Sequence, residues 1–440
     1  MVRKKDEEIK RSKEPPKSDM TELLEGIQAN LGNYGVIMQR GRQLEGRFDL
    51  RRPCGIPSLD IATGGGLPAG GLSQIDGPEG TGKNLLIYHY FAKCQKLHKA
   101  NTRIFMLCLE FPFDKMFAHK VGFRVPFSDY EIKVEQHKRR ESGEEPLTNK
   151  EIDALQDDTA VGDFVVPQGE VEGKLESVVS MIKDNSFQIG AIDSWDAMLT
   201  APEGDTPLGD DPRIANAANI QTRWMKKVQS ALAPRMRCPD CWDLDIEFKK
   251  TSAGGYNYHC KCGWKGHDPF LEENETTIIG IRQVRANMNK GGMHAREWKV
   301  GGSNALKHGK LVDVQLRPGE RLMDSTGKIR IGKEIVWEIT KGKAGTHEGK
   351  TGSFKYYFEP PEIDVDSDFF GHCMAVGIIA RSGGIYTVDT QGLHEKSELK
   401  FKGQSEVMAA LDEDPEVKNL LWKLMLRKAD LTHIRHRSIS

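Results

Sequence analysis

Gly77-Pro78-Glu79-Gly80-Thr81-Gly82-Lys83-Asn84 is the stretch on which the reading of this 440-residue chain turns. It has the spacing G-x-x-x-x-G-K, and it sits between a short strand candidate, Leu72–Ile75, and a helix candidate, Asn84–Lys96. Glycines at these positions let successive backbone N–H groups converge on phosphate oxygens, and the N-terminus of the following helix adds its dipole. Lys83 is expected to reach the β and γ phosphates of a nucleotide. A plain Gly-rich turn is the bland reading, and the strand–loop–helix context weighs against it. One position departs from the motif. Asn84 stands where Ser or Thr would offer a hydroxyl to Mg²⁺. An amide oxygen is a poorer ligand, so the expectation is ATP binding with slow hydrolysis.

Working outward, apolar strands and helices alternate. Strands are expected at Arg103–Leu109, Ile189–Ile192, Thr276–Ile281, Lys310–Leu316 and Ile335–Thr340, and helices at Lys115–Val121, Leu175–Lys183 and Ile214–Leu232. Continuous apolar strands separated by helices signify an α/β fold with a mostly parallel sheet covered on both faces. Asp193 and Glu110 each end such a strand, at the edge of the sheet where ligands bind. Asp193 is a candidate for holding Mg²⁺, and Glu110 for activating a water. A helix cap and a turn carboxylate are the bland readings of the two.

The remaining stretches break this rhythm. Residues 1–50 begin with a charged arm and then carry a helical pattern at Met20, Leu23, Leu24, Ile27 and Leu31. Residues 128–165 are highly charged and look like an insertion into a core spanning 51–370. Residues 237–270 carry a cysteine cluster, and 371–440 read as a small α+β domain.

Composition bounds the function. Lys plus Arg number 63 against 64 Asp plus Glu, a formal charge of −1, so any affinity for nucleic acid must come from local basic patches. The arm has no apolar signal region, and no run of about eighteen apolar residues is present for a membrane span. Of eight cysteines, Cys54, Cys94, Cys108 and Cys373 are scattered, while Cys238, Cys241, Cys260 and Cys262 cluster. That is the usage of a cytoplasmic protein with one metal site. C-x₂-C, then eighteen residues, then C-x-C looks like a zinc ribbon with structural Zn²⁺, in which His259 or His267 could replace one sulfur.

Several stretches together resemble the RecA family of recombinases. Ser58–Asn84 resembles the entrance to its ATPase core, and LCLEFPFDKMFAHKVGF the strand bearing its catalytic glutamate. AIDSWDAMLT resembles its second nucleotide motif, and IIGIRQVR the strand ending in its γ-phosphate-sensing glutamine. Asn304-Ala305-Leu306-Lys307 is a stretch that generic phosphate-loop ATPases lack, and the tail from GIIARSGGIYTV onward matches too. The resemblance spans most of the chain in the family's order and omits the two insertions. It implies a RecA-like P-loop core with an N-terminal helical arm at a protomer interface, an inserted zinc ribbon and a small α+β C-terminal domain. It further implies an ATPase that forms helical filaments on single-stranded DNA and exchanges strands with homologous duplex, with loading or mediator proteins as partners, in a bacterium or a bacteriophage-infected cell.

Carried over by position, Glu110 is the general base, Asp193 supports Mg²⁺, Phe117 stacks on adenine, and Gln283 couples nucleotide state to DNA. Lys341 and Lys343 match a lysine pair that reaches the neighbouring subunit's ATP; solubilising surface charge is their bland reading. Thr200–Pro212 matches the first DNA loop but is acidic. Ala286–Val300 matches the second: Lys290, Arg296 and Lys299 supply cations, and Met293 and Trp298 apolar contacts, with Arg285 just before them. Two other readings stay open, a RecA-fold helicase and an ATP-binding recombination mediator that does not exchange strands.

Overall fold

The computed structural model describes residues 50–197, 214–250, 256–266, 269–286, 298–299 and 304–432. The N-terminal helix pattern, the Thr200–Pro212 loop, His267, and Lys290, Met293 and Arg296 of the second loop lie outside them. Two compact bodies are distinguished: Pro234–Glu272, and the remainder of the described chain.

The larger body is built on one nine-stranded sheet. Its order is Pro361–Ile363, Thr351–Phe358, Arg330–Gly342, Val312–Met323, Gly71–Gly77, Thr277–Gln283, Ile189–Asp193, Arg103–Cys108 and Asp163–Val165. The six strands from Val312–Met323 to Asp163–Val165 run parallel, and the first three add to them as an antiparallel meander. The apolar runs explain the parallel part. Ile104, Phe105, Met106 and Leu107 are all buried, as are Ile278, Ile279 and Ile281, so both faces of these strands need cover. One face packs on the Lys83–His98 helix through Leu86, Tyr90 and Phe91; the other packs on Leu175, Val178 and Ile182 of Val171–Asp184 and on Trp224 and Val228 of Ile214–Ala231. Gly280 faces Trp195, and a methyl group there would overlap the indole, so only glycine leaves room for the ring.

The charged 128–165 segment folds into two helices, Asp129–Ser142 and Asn149–Gln156. Each opens with a capping box, Ser128 with Glu131 and Thr148 with Glu151. Its last residues, Asp163–Val165, are the edge strand of the main sheet, so the segment is stitched into the core. The helix Val365–Ala375 straddles the expected boundary at 371. Its Phe369, Phe370 and Cys373 share a cluster with Leu421 and Leu424 of the last described helix, Pro415–Lys428, and with Val388 of a three-stranded sheet. No helix among the described residues is long and apolar enough to cross a membrane.

Candidate nucleotide site and metal centre

The Gly71–Gly77 strand ends at its bend into the glycine loop, and the helix Lys83–His98 starts where the loop closes. Gly82, with φ +91°, caps that helix in the left-handed region, and a Cβ there would press on Ile335. Lys83 is buried, and its Nζ donates to the carbonyls of Gly77 at 2.9 Å and Pro78 at 2.8 Å. Thr81 Oγ1 donates to the Pro78 carbonyl at 2.7 Å. Burial lowers the Lys83 pKa, and Asp193 and Glu110 pull it back up.

Around this loop lies a cavity of about 300 Å³ lined by Glu79, Gly80, Lys83, Asn84, Glu110, Phe117, Asp193 and Gln283, among others. Five strand or helix ends therefore converge on one place. Asn84 Nδ2 donates to Asp193 Oδ2 at 3.0 Å. Burial raises the Asp193 pKa, the Asn84 bond opposes this, and Glu110 adds to it. Glu110 is held from two sides, by Gln283 Nε2 on Oε1 at 2.7 Å and by Ser194 Oγ on Oε2 at 2.9 Å. Phe117 is reached through the short helix Lys115–Lys120, whose N-cap Asp114 accepts the Phe117 N–H, and it packs 5.9 Å from Tyr88. A larger cavity, about 780 Å³, lies beside Trp337, Phe354 and the helix Val365–Ala375. It carries neither the glycine loop nor Glu110 and Asp193, so the smaller cavity is the candidate nucleotide site.

Lys341 and Lys343, at the far end of the Arg330–Gly342 strand, do not line the cavity of their own chain. Two residues that do line it escaped the sequence reading, Lys333 and Tyr356. They are cross-strand partners in the antiparallel meander. Lys333 Nζ donates to the Gly80 carbonyl at 2.5 Å and stands 5.9 Å from the Tyr356 ring centre. About 250 residues of chain separate Lys333 from the loop, and only sheet order brings them together. Arg285–Ala286 pairs with Trp298–Lys299 as an antiparallel ladder, Arg285 opposite Lys299. That ladder closes the base of the second candidate DNA loop.

The family model described as RecA N-terminal domain matches residues 18–176, a span that includes the glycine loop, Glu110 and Phe117. The match continues beyond that span in whole-chain relatives. Protein RecA of Petrotoga mobilis is 24% identical over 423 residues, covering 96% of this chain and 91% of its own length. Protein RecA of Bacteroides thetaiotaomicron is 29% identical over 398 residues, covering 90% and 92%. The mitochondrial DNA repair protein recA homolog of Dictyostelium discoideum is 23% identical over 402 residues, covering 89% and 69%. The chain is similar to RecA proteins along most of its length. The similarity is distant, with identities of 24% and 29% along nearly the whole length.

The smaller body, Pro234–Glu272, holds the cysteine cluster. Arg235–Arg237 pairs with Phe270–Glu272 at its base, and Ile246–Lys250, Tyr256–Cys260 and Lys265–Gly266 form a three-stranded sheet. The four Sγ atoms lie within 4.8 Å of one another, with Cys238 to Cys262 at 3.6 Å and Cys241 to Cys260 at 3.4 Å. A tetrahedron of sulfurs about 2.3 Å from zinc has edges of about 3.8 Å, so the donor set fits that ion. Cys262 completes the group, which needs no sulfur replaced by His259. Among the described side chains of this body only Cys238, Tyr258, Cys260 and Pro269 are buried, too few for a core of its own. Trp242 and Phe270 meet at 4.8 Å on its surface, both exposed.

Proposed function

We propose that this protein is an ATP-dependent recombinase that assembles on single-stranded DNA, pairs it with homologous duplex and exchanges strands. The observation that carries the reading is the meeting of Lys83, Asn84, Glu110, Phe117, Asp193 and Gln283 around one cavity, in a chain that aligns over most of its length with proteins named Protein RecA.

Each residue then has a task. The glycine loop from Gly77 to Asn84 cradles phosphates, and Lys83 leaves the Gly77 and Pro78 carbonyls for the more strongly charged oxygens of the nucleotide. Asp193, with the oxygen of Asn84, would hold Mg²⁺, which supplies charge neutralisation across the phosphates. Glu110 orients and deprotonates the attacking water, and Phe117 stacks on adenine. Gln283 donates to Glu110 and lies two residues before Arg285, so a change at the γ-phosphate reaches the base of the DNA loop. Arg285, Lys290, Arg296 and Lys299 supply cations for DNA phosphates; Met293 and Trp298 pack on bases. Lys341 and Lys343, which do not line their own chain's cavity, act across the filament on the neighbour's nucleotide. The four cysteines hold one structural Zn²⁺.

The test uses hydrolysis and strand exchange in parallel. Wild-type protein is expected to hydrolyse ATP faster with single-stranded DNA and to exchange homologous strands, and Lys83→Ala to lose both. Full exchange by Lys83→Ala would remove the phosphate role of that lysine. One observation favours a second reading. Asn84 spends its amide on Asp193 and has no hydroxyl to offer a metal, as suits an ATP-binding mediator with little turnover. DNA-independent ATP binding without strand exchange would select that reading, and rings in place of filaments would select a helicase.

A further inference from the structure

Asp196 lies three residues beyond Asp193, within the stretch that resembles the second nucleotide motif, and the proposed function gives it no role; yet it holds the strand end that carries Gln283. Its Oδ2 accepts the backbone N–H of Gln283 at 3.0 Å, and its Oδ1 lies 3.7 Å from Nε of Arg282. Arg282 is 0% exposed, and its guanidinium nitrogens have no hydrogen-bond partner among the described residues. A buried cation in that condition depends on its one carboxylate. Trp195 fixes where Asp196 stands: the indole fills the space over Gly280, and its carbonyl accepts Gln221 Nε2 at 2.8 Å.

These bonds close a circuit around the water-activating carboxylate. Ser194 and Gln283 each grip one oxygen of Glu110, and Asp196, two residues after Ser194, grips the backbone of Gln283. Both arms of the circuit stand at chain exits toward the two candidate DNA loops. Residues 194–197 lead into Thr200–Pro212, and Gln283 leads through Arg285 into Ala286–Val300. Asp196 does not line the nucleotide cavity, so it acts through Gln283 and touches no phosphate.

We infer that Asp196 is a positioning residue, braced by Arg282, that ties the exits of the two DNA loops to the Gln283–Glu110 hydrogen bond and so makes hydrolysis respond to DNA. The inference rests on the proposed function, because it concerns DNA-stimulated hydrolysis. Without Asp196 the Gln283 N–H is unpaired and the strand end is free to shift. The Gln283 amide then no longer holds Glu110 in register when DNA engages, although the phosphate cradle is intact.

The experiment measures ATP hydrolysis by the full chain with and without oligo-dT, and affinity for a fluorescent ATP analogue. Asp196→Ala is expected to lower the DNA stimulation ratio about tenfold while analogue affinity stays within about twofold, as for loss of one hydrogen bond outside the binding cavity. Asp196→Asn removes the same charge from beside Arg282 but keeps an oxygen for the Gln283 N–H, so it is expected to retain most of the stimulation and separates that hydrogen bond from the loss of charge. Wild-type stimulation in Asp196→Ala overturns the inference. So does loss of analogue affinity in parallel with stimulation in both variants, the mark of general damage. Wild-type protein that binds the analogue but shows no DNA stimulation overturns the functional reading itself, and the inference with it.

Discussion

Replacing Asn84 by Ala isolates the one position where the phosphate loop departs from its motif. In the folded protein Asn84 Nδ2 donates to Asp193 Oδ2 at 3.0 Å, and Asp193 is 6% exposed. A hydrogen bond to a charged group contributes about 1.5–3 kcal/mol, so its loss corresponds to a factor of about 10 to 150. The bond favours the ionised carboxylate, whose pKa burial already raises. Asn84→Ala therefore favours protonated Asp193, a poorer magnesium ligand. The Mg²⁺ concentration that half-saturates ATP binding is expected to rise about tenfold or more. Asn84→Thr can donate to Asp193 and offer its oxygen to the metal, so it is expected to match or improve on the wild type. Titration calorimetry of ATP at a series of Mg²⁺ concentrations reads both variants. An Asn84→Ala protein with an unchanged Mg²⁺ midpoint would refute the link between this amide and the metal carboxylate.

Two further outcomes follow from other parts of the molecule. Chelation, or Cys241→Ser, should release about one zinc per chain and expose the Pro234–Glu272 amides to hydrogen exchange while the main sheet stays protected; its four sulfurs stand in for a core. The absence of zinc by elemental analysis, or unaltered protection in the chelated protein, would count against this. Asp368 accepts the N–H of Ser58 at 2.8 Å and its hydroxyl at 2.5 Å, and burial lifts its pKa from 3.8 to about 6. The folded state keeps this proton to higher pH than the unfolded chain does. Its contribution is full below pH 3.8 and is lost as pH rises through about 6. Between pH 3.5 and 7 the wild type should therefore lose on the order of 2–3 kcal/mol relative to Asp368→Asn, which has no proton to release. Denaturant melts of the pair at the two pH values test this, and parallel profiles would contradict it.

The comparison of sequence and structure divides along chain distance. The strands Arg103–Cys108, Ile189–Asp193 and Thr277–Gln283 were legible because a strand buried on both faces writes itself as an unbroken apolar run. Glu110, Asp193 and Gln283 were legible because each ends such a run. The charged segment hid its edge strand Asp163–Val165, whose apolar run of Phe164 and Val165, extended by Val166, is too short to stand out as a strand. Lys333 and Tyr356 lie mid-strand among alternating polar residues, where a cation looks like ordinary surface charge.

By itself the sequence determined the local chemistry: a glycine loop between strand and helix, carboxylates at strand ends, and cysteine pairs at metal spacing. Those are short-range properties of φ freedom, hydrophobic period and ligand count, and neighbours along the chain suffice to express them. The tertiary structure alone decided which distant groups meet. The register of the sheet carries Lys333 to Gly80, sets Asn84 against Asp193, and lets Asp196 grip Gln283. Such pairings depend on which strands lie side by side, and strand order is a property of how the whole apolar surface is buried at once.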